Sequence, residues 1–176
     1  MALSEADIDK AVEAVLHGVE ERYAGELADI TAELAKRAAE GGWDASYLRA
    51  KLNGNFFEKQ LPADLKAVIK PVVKITAKSG KNEMLVPSVD KLFVLSEQEV
   101  FGRKIYSCGG EGKWYEWYKQ ENTPYGKCKQ NGERDWRWER SPYSGGADYF
   151  CRVASNGNAS YNYASYSFGV SFGFCI

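Results

Sequence analysis

Apolar residues recur along the start of the chain at Ile8, Val12, Val15, Val19, Tyr23, Leu27, Ile30, Leu34 and Ala38, in steps of three and four. This spacing predicts an amphipathic helix over residues 4–40 with a narrow apolar stripe. Most of the pattern is heptad-like, and the extra four-residue steps shift the seam. Ser4-Glu5-Ala6-Asp7 reads as a capped start with acid in the first turn, and Gly41-Gly42 as the stop. The remaining faces carry Glu, Lys, Arg and Ala, so the stripe must be buried against the rest of the chain or against another copy. Gly18 and Gly25 each weaken the helix by about 1 kcal/mol relative to Ala. His17, the only histidine, lies within this pattern as a surface or seam residue.

Beyond the glycines the periodicity shortens. Trp43 to Leu52 predicts a short helix with Asp44 as N-cap, and Leu61 to Lys66 starts another with Pro62 suited to its first position and Pro71 as its stop. Val72–Ala77 reads as a strand and Lys91–Ser96 as a buried one. From Gly109 onward, short aromatic runs alternate with Gly, Asn and Pro. Asn131-Gly132 and Asn156-Gly157 are turn signals, and Phe150–Val153 and Val170–Phe174 read as strands. The expected class is α+β: a helical segment, 1–42, then a domain of short strands and long loops, 43–176.

Charge and chemistry narrow the function. Of 176 residues, 23 are Lys or Arg and 24 Asp or Glu, a net charge of −1 that gives no electrostatic case for binding nucleic acid. No stretch is long and apolar enough to span a bilayer, and the acidic N-terminus does not read as a signal peptide. Cys108, Cys128, Cys151 and Cys175 lack metal-ligand spacing, so no zinc site is expected and the reading is reduced thiols, with a Cys151–Cys175 disulfide open outside a cell. One histidine cannot furnish a nucleophile–base pair unless the helix docks it there. Glu97, Glu99, Glu111 and Glu116 could supply a carboxylate pair, but nothing in their spacing demands one, and they read as solvated. Gly109-Gly110-Glu111-Gly112 is not a phosphate loop, and the Asn158-Ala159-Ser160 sequon is read as coincidental.

The C-terminal region differs. All 15 Lys, 16 Glu, four Gln, five Trp and both Met precede Ser141, and the only charges after it are Asp148 and Arg152. Tyr, Ser, Gly and Asn dominate, as in an antibody paratope: Tyr offers broad amphipathic contact at low entropy cost, and the small polar residues adapt their hydrogen bonds. Tyr161 and Tyr163, two apart, share a face if the segment is extended, and Tyr166 and Phe168 repeat the spacing. These five residue types, Lys, Glu, Gln, Trp and Met, are ones that cannot arise when the adenines of an Asn codon are replaced at random. Adenine-directed rewriting of this kind is the signature of diversity-generating retroelements.

Trp138-Glu139-Arg140-Ser141-Pro142, the terminal Gly169-Val170-Ser171-Phe172-Gly173-Phe174-Cys175-Ile176, the Trp43-x-x-Ser46-x-Leu48-Arg49-x-x-Leu52-Asn53 block and Leu92–Val100 resemble a bacterial and phage C-type-lectin-like domain of the formylglycine-generating-enzyme subgroup. In particular they resemble the variable proteins of diversity-generating retroelements. The resemblance covers Trp43 to Ile176. It implies a rigid scaffold with a variable region, 141–168, in which the diversified ligand-binding positions are Tyr143, Gly145, Gly146, Asp148, Tyr149, Arg152, Ala154, Ser160, Tyr161, Tyr163, Tyr166 and Phe168. Phe150, Cys151, Val153, Gly157 and the last eight residues would be constant framework, and Trp136 and Trp138 its support. Related domains carry extra strands before the Trp-x-x-Ser helix. Here residues 4–40 stand in that place, so a sheet edge would be protected by this helix or by a partner chain. The calcium signatures of C-type lectins and a placeable pair of catalytic cysteines are absent from the pattern, so no cofactor, metal or catalytic residue is expected.

The function so implied is binding of a protein or glycan receptor, from a virion tail or a cell surface. The alternatives are a cysteine-dependent oxidase or a structural virion protein. The helix over 4–40 would anchor the domain or make it oligomeric, a trimer adding avidity to weak single sites. Light scattering is expected to give a trimer for the full chain and a monomer once residues 1–40 are removed; a monomer in both would sink the oligomerisation reading.

Overall fold

The computed structural model describes residues 41–120, 129–130 and 133–176. The expected helix over 4–40, His17, Cys128 and the Asn131-Gly132 turn lie outside the described residues. The remainder is α+β, with helices packed on small antiparallel sheets. No helix among the described residues is long and apolar enough to cross a membrane.

The first helical stretch runs through α1 (Tyr47–Lys51), a π-helical turn (Leu52–Phe56) kinked at Gly54, and α2 (Phe57–Gln60). Its cap is Ser46 rather than Asp44: the Ser46 hydroxyl accepts the Arg49 N–H at 3.1 Å. The Trp43 carbonyl accepts the Ser46 N–H in the preceding turn, which carries Asp44 outside the helix to pair with Arg49 at 3.4 Å. Within the π-helical turn Gly54 departs from helical geometry, and the adjacent Phe56 and Phe57 are both buried. α3 (Ala63–Val68) follows, with Pro62 as its N-cap, and ends at Ile69, before Pro71 is reached.

Strand β1 (Val72–Ser79) pairs antiparallel with β2 (Asn82–Asp90). β2 does not show in the hydrophobic pattern because Met84-Leu85-Val86-Pro87 does not alternate. The hairpin reverses the usual sidedness. Its inward face is polar, with Lys74, Thr76, Ser88 and Asp90 all buried, while Val73, Ile75, Leu85, Pro87 and Val89 face outward and are exposed. The buried strand expected over 91–96 shortens to β3 (Phe93–Val94), which pairs with the late strand β9 (Phe172–Gly173). α4 (Glu97–Phe101) and α5 (Glu116–Gln120) come next, then the short hairpin β4 (Lys129–Gln130) and β5 (Glu133–Arg134). A three-stranded sheet closes the fold: β6 (Arg137–Pro142), β7 (Tyr149–Val153) and β8 (Ala159–Tyr163), with a bulge in β6 between Trp138 and Pro142. The main core gathers Trp43, Leu48, Leu52, Phe56, Phe57, Leu92, Phe93, Val94, Trp138, Phe150 and Val170.

The polar face of the hairpin needs partners, since an unpaired buried polar group costs about 1–3 kcal/mol. Asp90 accepts the Trp43 indole N–H at 3.0 Å, the Ser88 hydroxyl at 2.6 Å and the Arg49 guanidinium at 2.5 Å. Asn53, in the π-helical turn, accepts the Lys91 and Leu92 amides and donates to the Leu92 carbonyl.

Arg140 is the larger junction. It is 1 % exposed. Its guanidinium donates to Thr76 Oγ1 and the Val94 carbonyl at 2.9 Å each, to the Glu111 carbonyl at 2.6 Å, and to the Glu99 carboxylate. One side chain on β6 thus fastens β1, β3, α4 and the 109–112 turn. Glu99 also accepts Lys74 Nζ at 2.9 Å and closes a capping box with Ser96. Burial alone would raise the Glu99 carboxyl. The Arg140 hydrogen bond and charge, Lys74 and the Ser96 amide outweigh it and hold the carboxyl below the usual range.

Replacing Arg140 by Met leaves the buried Glu99 charge with Lys74 as its remaining cation. Urea denaturation of Arg140→Met is expected to show a loss of about 3–5 kcal/mol, the range for breaking one side of a buried pair.

Candidate functional site

Antiparallel pairing places Tyr149 opposite Tyr163, Cys151 opposite Tyr161 and Val153 opposite Ala159, so these six share one face of the β6–β7–β8 sheet. At the open end of that face the tyrosines gather. Tyr143 stacks on Tyr161 with ring centroids 3.9 Å apart and planes 4° from parallel. Tyr149 lies 4.1 Å from Tyr163 and meets Tyr143 and Tyr161 edge-on at 5.8 Å each. Tyr163 remains 47 % exposed. The neighbouring Tyr163 hydroxyl is the main reason the Tyr149 phenol is pushed up to about 12, and that of Tyr161 raises Tyr143 in the same way. The surface is therefore neutral and rich in donors and acceptors, with Asp148 as its adjoining exposed charge.

A fifth ring, Tyr106, meets Tyr161 at 5.0 Å and Tyr143 at 6.3 Å. Sequence reasoning missed it, because it stands in an unpatterned loop outside the Tyr-rich region. Its position is set from beneath. Glu97, fully buried, accepts the backbone N–H groups of Ile105, Tyr106 and Ser107 at 2.8–2.9 Å. The Tyr106 carbonyl in turn accepts the Ser144 amide and hydroxyl at 2.9 Å. The turn at 143–146 is braced by the β1–β2 hairpin: Gly80 lies so close that a Cβ there would strike the carbonyl oxygens of Tyr143 and Gly146. Gly145 and Gly146 lie under the rings of Tyr143 and Tyr149, where a Cβ would meet ring atoms.

The other residues expected at the site lie elsewhere. Arg152 and Ser160 are on the opposite sheet face. Arg152 is 8 % exposed, with its guanidinium 3.8 Å from the Trp136 ring centroid and 4.3 Å from that of Phe168. Burial lowers its pKa from the usual arginine range. Phe168 also packs edge-on against Trp138 at 4.9 Å, and Tyr166 continues the row, 53 % exposed. Ala154 is buried and presents no surface. The twelve positions thus divide into a tyrosine face holding Tyr143, Gly145, Gly146, Asp148, Tyr149, Tyr161 and Tyr163, an aromatic edge holding Arg152, Ser160, Tyr166 and Phe168, and the interior Ala154.

The acidic residues overturn the expectation of solvated faces. Glu97, Glu99 and Glu111 are all buried, and only Glu116 of the four is exposed. Glu139 is buried as well, and neither of its carboxyl oxygens has a hydrogen-bond partner among the described residues. Ligand atoms of Glu97, Glu139 and Cys151 lie within 4.8 Å of one another, the group among the described residues that could hold a metal ion. Burial first, then the Glu97 charge, raises Glu139 well above the usual carboxyl range, so it carries a proton. Burial likewise pushes the Cys108 thiol up to about 11 and raises Cys151 well above the ordinary thiol range. These are protonated thiols, the reverse of the electropositive setting that activates a cysteine. Cys108, Cys151 and Cys175 are free.

A helical layer on small antiparallel sheets, with a tyrosine-lined sheet face held from beneath by a buried carboxylate and close backbone contacts, defines the protein as an α+β domain with an aromatic surface. The chain belongs to the family described as "Domain of unknown function (DUF6273)", whose model matches residues 24–176. No curated protein matches the chain. No solved structure matches it.

Unfolded, Glu139 ionises near the ordinary glutamate pKa of about 4.3. Folded, it keeps its proton to higher pH. The folded state therefore binds more protons above that value, and stability falls as pH rises. Glu111, pushed up to about 7 mainly by burial, adds the same slope between about pH 4.3 and 7. Thermal melts of Glu139→Gln are expected to exceed the parent protein at about pH 8 and to converge with it near pH 4.5; a gap that is constant with pH would show that Glu139 is not the titrating group.

Proposed function

We propose that this protein is a ligand-binding protein of a diversity-generating retroelement, built on a C-type-lectin-like scaffold and presenting its tyrosine face to a protein or glycan receptor from a virion tail or cell surface. The observation that carries this reading is the gathering of Tyr143, Tyr149, Tyr161 and Tyr163 at the open end of one sheet face. All four are reachable from an Asn codon by adenine replacement, and so are Gly145, Gly146 and Asp148 beside them.

The separation of surface from support agrees with this reading. Phe150, Cys151 and Val153, taken as constant, are buried, while the rings on the neighbouring positions reach the surface. The blocks that carry the lectin-like resemblance have structural roles. Trp138–Pro142 lies within β6, Leu92–Val100 supplies β3 and the capping box, and the terminal residues return to pair with β3. Tyrosine surfaces suit changing ligands, because each ring combines apolar contact with a hydroxyl that donates or accepts. Asp148 would orient a bound group through charge-assisted hydrogen bonds.

The test is in the DNA. A near-copy of the segment encoding 141–168 is expected close by, carrying Asn codons at the tyrosine-face positions, next to a reverse-transcriptase gene. Chains sequenced from related isolates are expected to differ at Tyr143, Asp148, Tyr149, Tyr161 and Tyr163 and to keep Phe150, Cys151 and Val153. Differences arising through non-adenine changes, or spread evenly over both groups, would refute the reading.

A further inference from the structure

Beneath the tyrosine face, three buried side chains converge without satisfying one another. Glu139 lies in the bulged part of β6, between Trp138 and Pro142. It is 3 % exposed, and neither of its carboxyl oxygens has a hydrogen-bond partner among the described residues. Glu97, from α4, and Cys151, from β7, are fully buried. A carboxyl oxygen of each glutamate and the Cys151 sulfur lie within 4.8 Å of one another. Glu97 is fixed from two sides. Its amide donates to Ser141 Oγ at 2.9 Å, which docks the start of α4 on β6, and its carboxylate accepts the amides of Ile105, Tyr106 and Ser107.

Positive charge is what the cluster lacks. Glu99 has Arg140 and Lys74, and Asp90 has Arg49. Neither Glu97 nor Glu139 forms an ion pair with a described residue. The Arg140 guanidinium is already committed to Glu99, Thr76 and two carbonyls, and Arg137 donates to the Tyr118 hydroxyl at 3.0 Å. A buried carboxyl group with no partner is costly, and its presence in a folded chain calls for a reason.

We infer that Glu97, Glu139 and Cys151 bind a divalent cation of the zinc type, which ties α4, β6 and β7 together beneath the tyrosine face. The donor set selects the class. Calcium and magnesium take shells of oxygen, whereas zinc accepts thiolate and carboxylate together in a shell of four. Three protein donors leave one position to a water molecule. Donors at zinc distances stand about 3.5 Å apart in a tetrahedron, so three atoms already within 4.8 Å of one another need only a small closure. As the ion enters, the Glu139 carboxyl and the Cys151 thiol release their protons to solvent. The amides on Glu97 become the outer shell that orients a ligating carboxylate. Cysteine spacing shows nothing of such a site, because two donors are carboxylates and each comes from a different element. The inference does not depend on what the tyrosine face recognises.

The test uses the full chain, reduced and refolded from urea with one equivalent of cobalt(II), because donors this deep take up an ion as the chain folds. One retained cobalt per chain is expected, with a sulfur-to-cobalt charge-transfer band that zinc abolishes. X-ray absorption of the zinc-loaded parent, which needs no substitution, is expected to fit one sulfur at about 2.3 Å and oxygens at about 2.0–2.2 Å. Cys108→Ser, Cys128→Ser and Cys175→Ser are each expected to keep the cobalt band. Glu139→Gln is expected to weaken zinc binding at least as much as loss of an outer-shell partner, roughly 10–100-fold. With zinc about 100-fold above its dissociation constant, melts of the parent are expected to rise by about 5–10 °C and those of Glu139→Gln to stay in place. The higher melt of Glu139→Gln at about pH 8 belongs to chelator-treated protein. No retained cobalt, a zinc shell without sulfur, a band lost with one of the other three cysteines, equal affinity in Glu139→Gln, or an equal rise with calcium would overturn the inference.

Discussion

The ion pair between Arg140 and Glu99 is the constraint on which the rest of this fold depends. Its two charges lie where water cannot reach them, and each is neutralised by the other and by groups drawn from other parts of the chain. Buried pairs of this kind rarely add much net stability, because desolvation offsets most of the attraction. Their effect here is on arrangement. Arg140 has five donors in a fixed plane, and satisfying them requires Thr76, the Val94 and Glu111 carbonyls and Glu99 to be in place together. The polar interior of the β1–β2 hairpin follows from this demand, and the hairpin's apolar exterior follows from that interior.

The same device works one layer closer to the surface. Glu97 offers a carboxylate to three successive amides and so fixes a loop with no secondary structure of its own. That loop carries Tyr106, the one ring of the aromatic cluster from outside the C-terminal region. Gly80 presses the tip of the hairpin against the backbone of the 143–146 turn. Support for the tyrosine face is thus polar and backbone-based, and it comes from residues upstream of Ser141, where composition is ordinary. A surface supported in this way can change its side chains without disturbing what holds its backbone.

How much of this was legible in the sequence depended on whether a feature is local. Alternation and turn chemistry are local. The shared face of Tyr161 and Tyr163, the Asn156-Gly157 turn, the strand from Val72 and the helix from Leu61 could all be read directly. The choice of Ser46 over Asp44 as a cap depended on a turn at Trp43 that no pattern displays. The burial of Glu97, Glu99 and Glu111 depended on partners far along the chain, such as Arg140, and short charged runs carry no mark of such pairing. The division of the C-terminal positions between two sheet faces had a readable signal. Strand alternation separates Arg152 from Tyr149 and Ser160 from Tyr161 once β7 and β8 are known to pair. What could not be read was that pairing, and the aromatic cover that buries Arg152 between Trp136 and Phe168.

Gly145 and Gly146 give the tyrosine face a property that neither has alone. Each lies beneath a ring, Tyr143 over the first and Tyr149 over the second, with no room for a β-carbon. Any other residue at 145 must displace the ring of 143, and with it the stack on Tyr161. If these positions are diversified as proposed, they would not vary as independent letters. A change at one glycine would alter the setting of its tyrosine, so the repertoire of distinct surfaces would be smaller than the product of the choices at each site. Selection on such a protein would act on pairs of residues, and the pairs are already visible in which ring lies over which glycine.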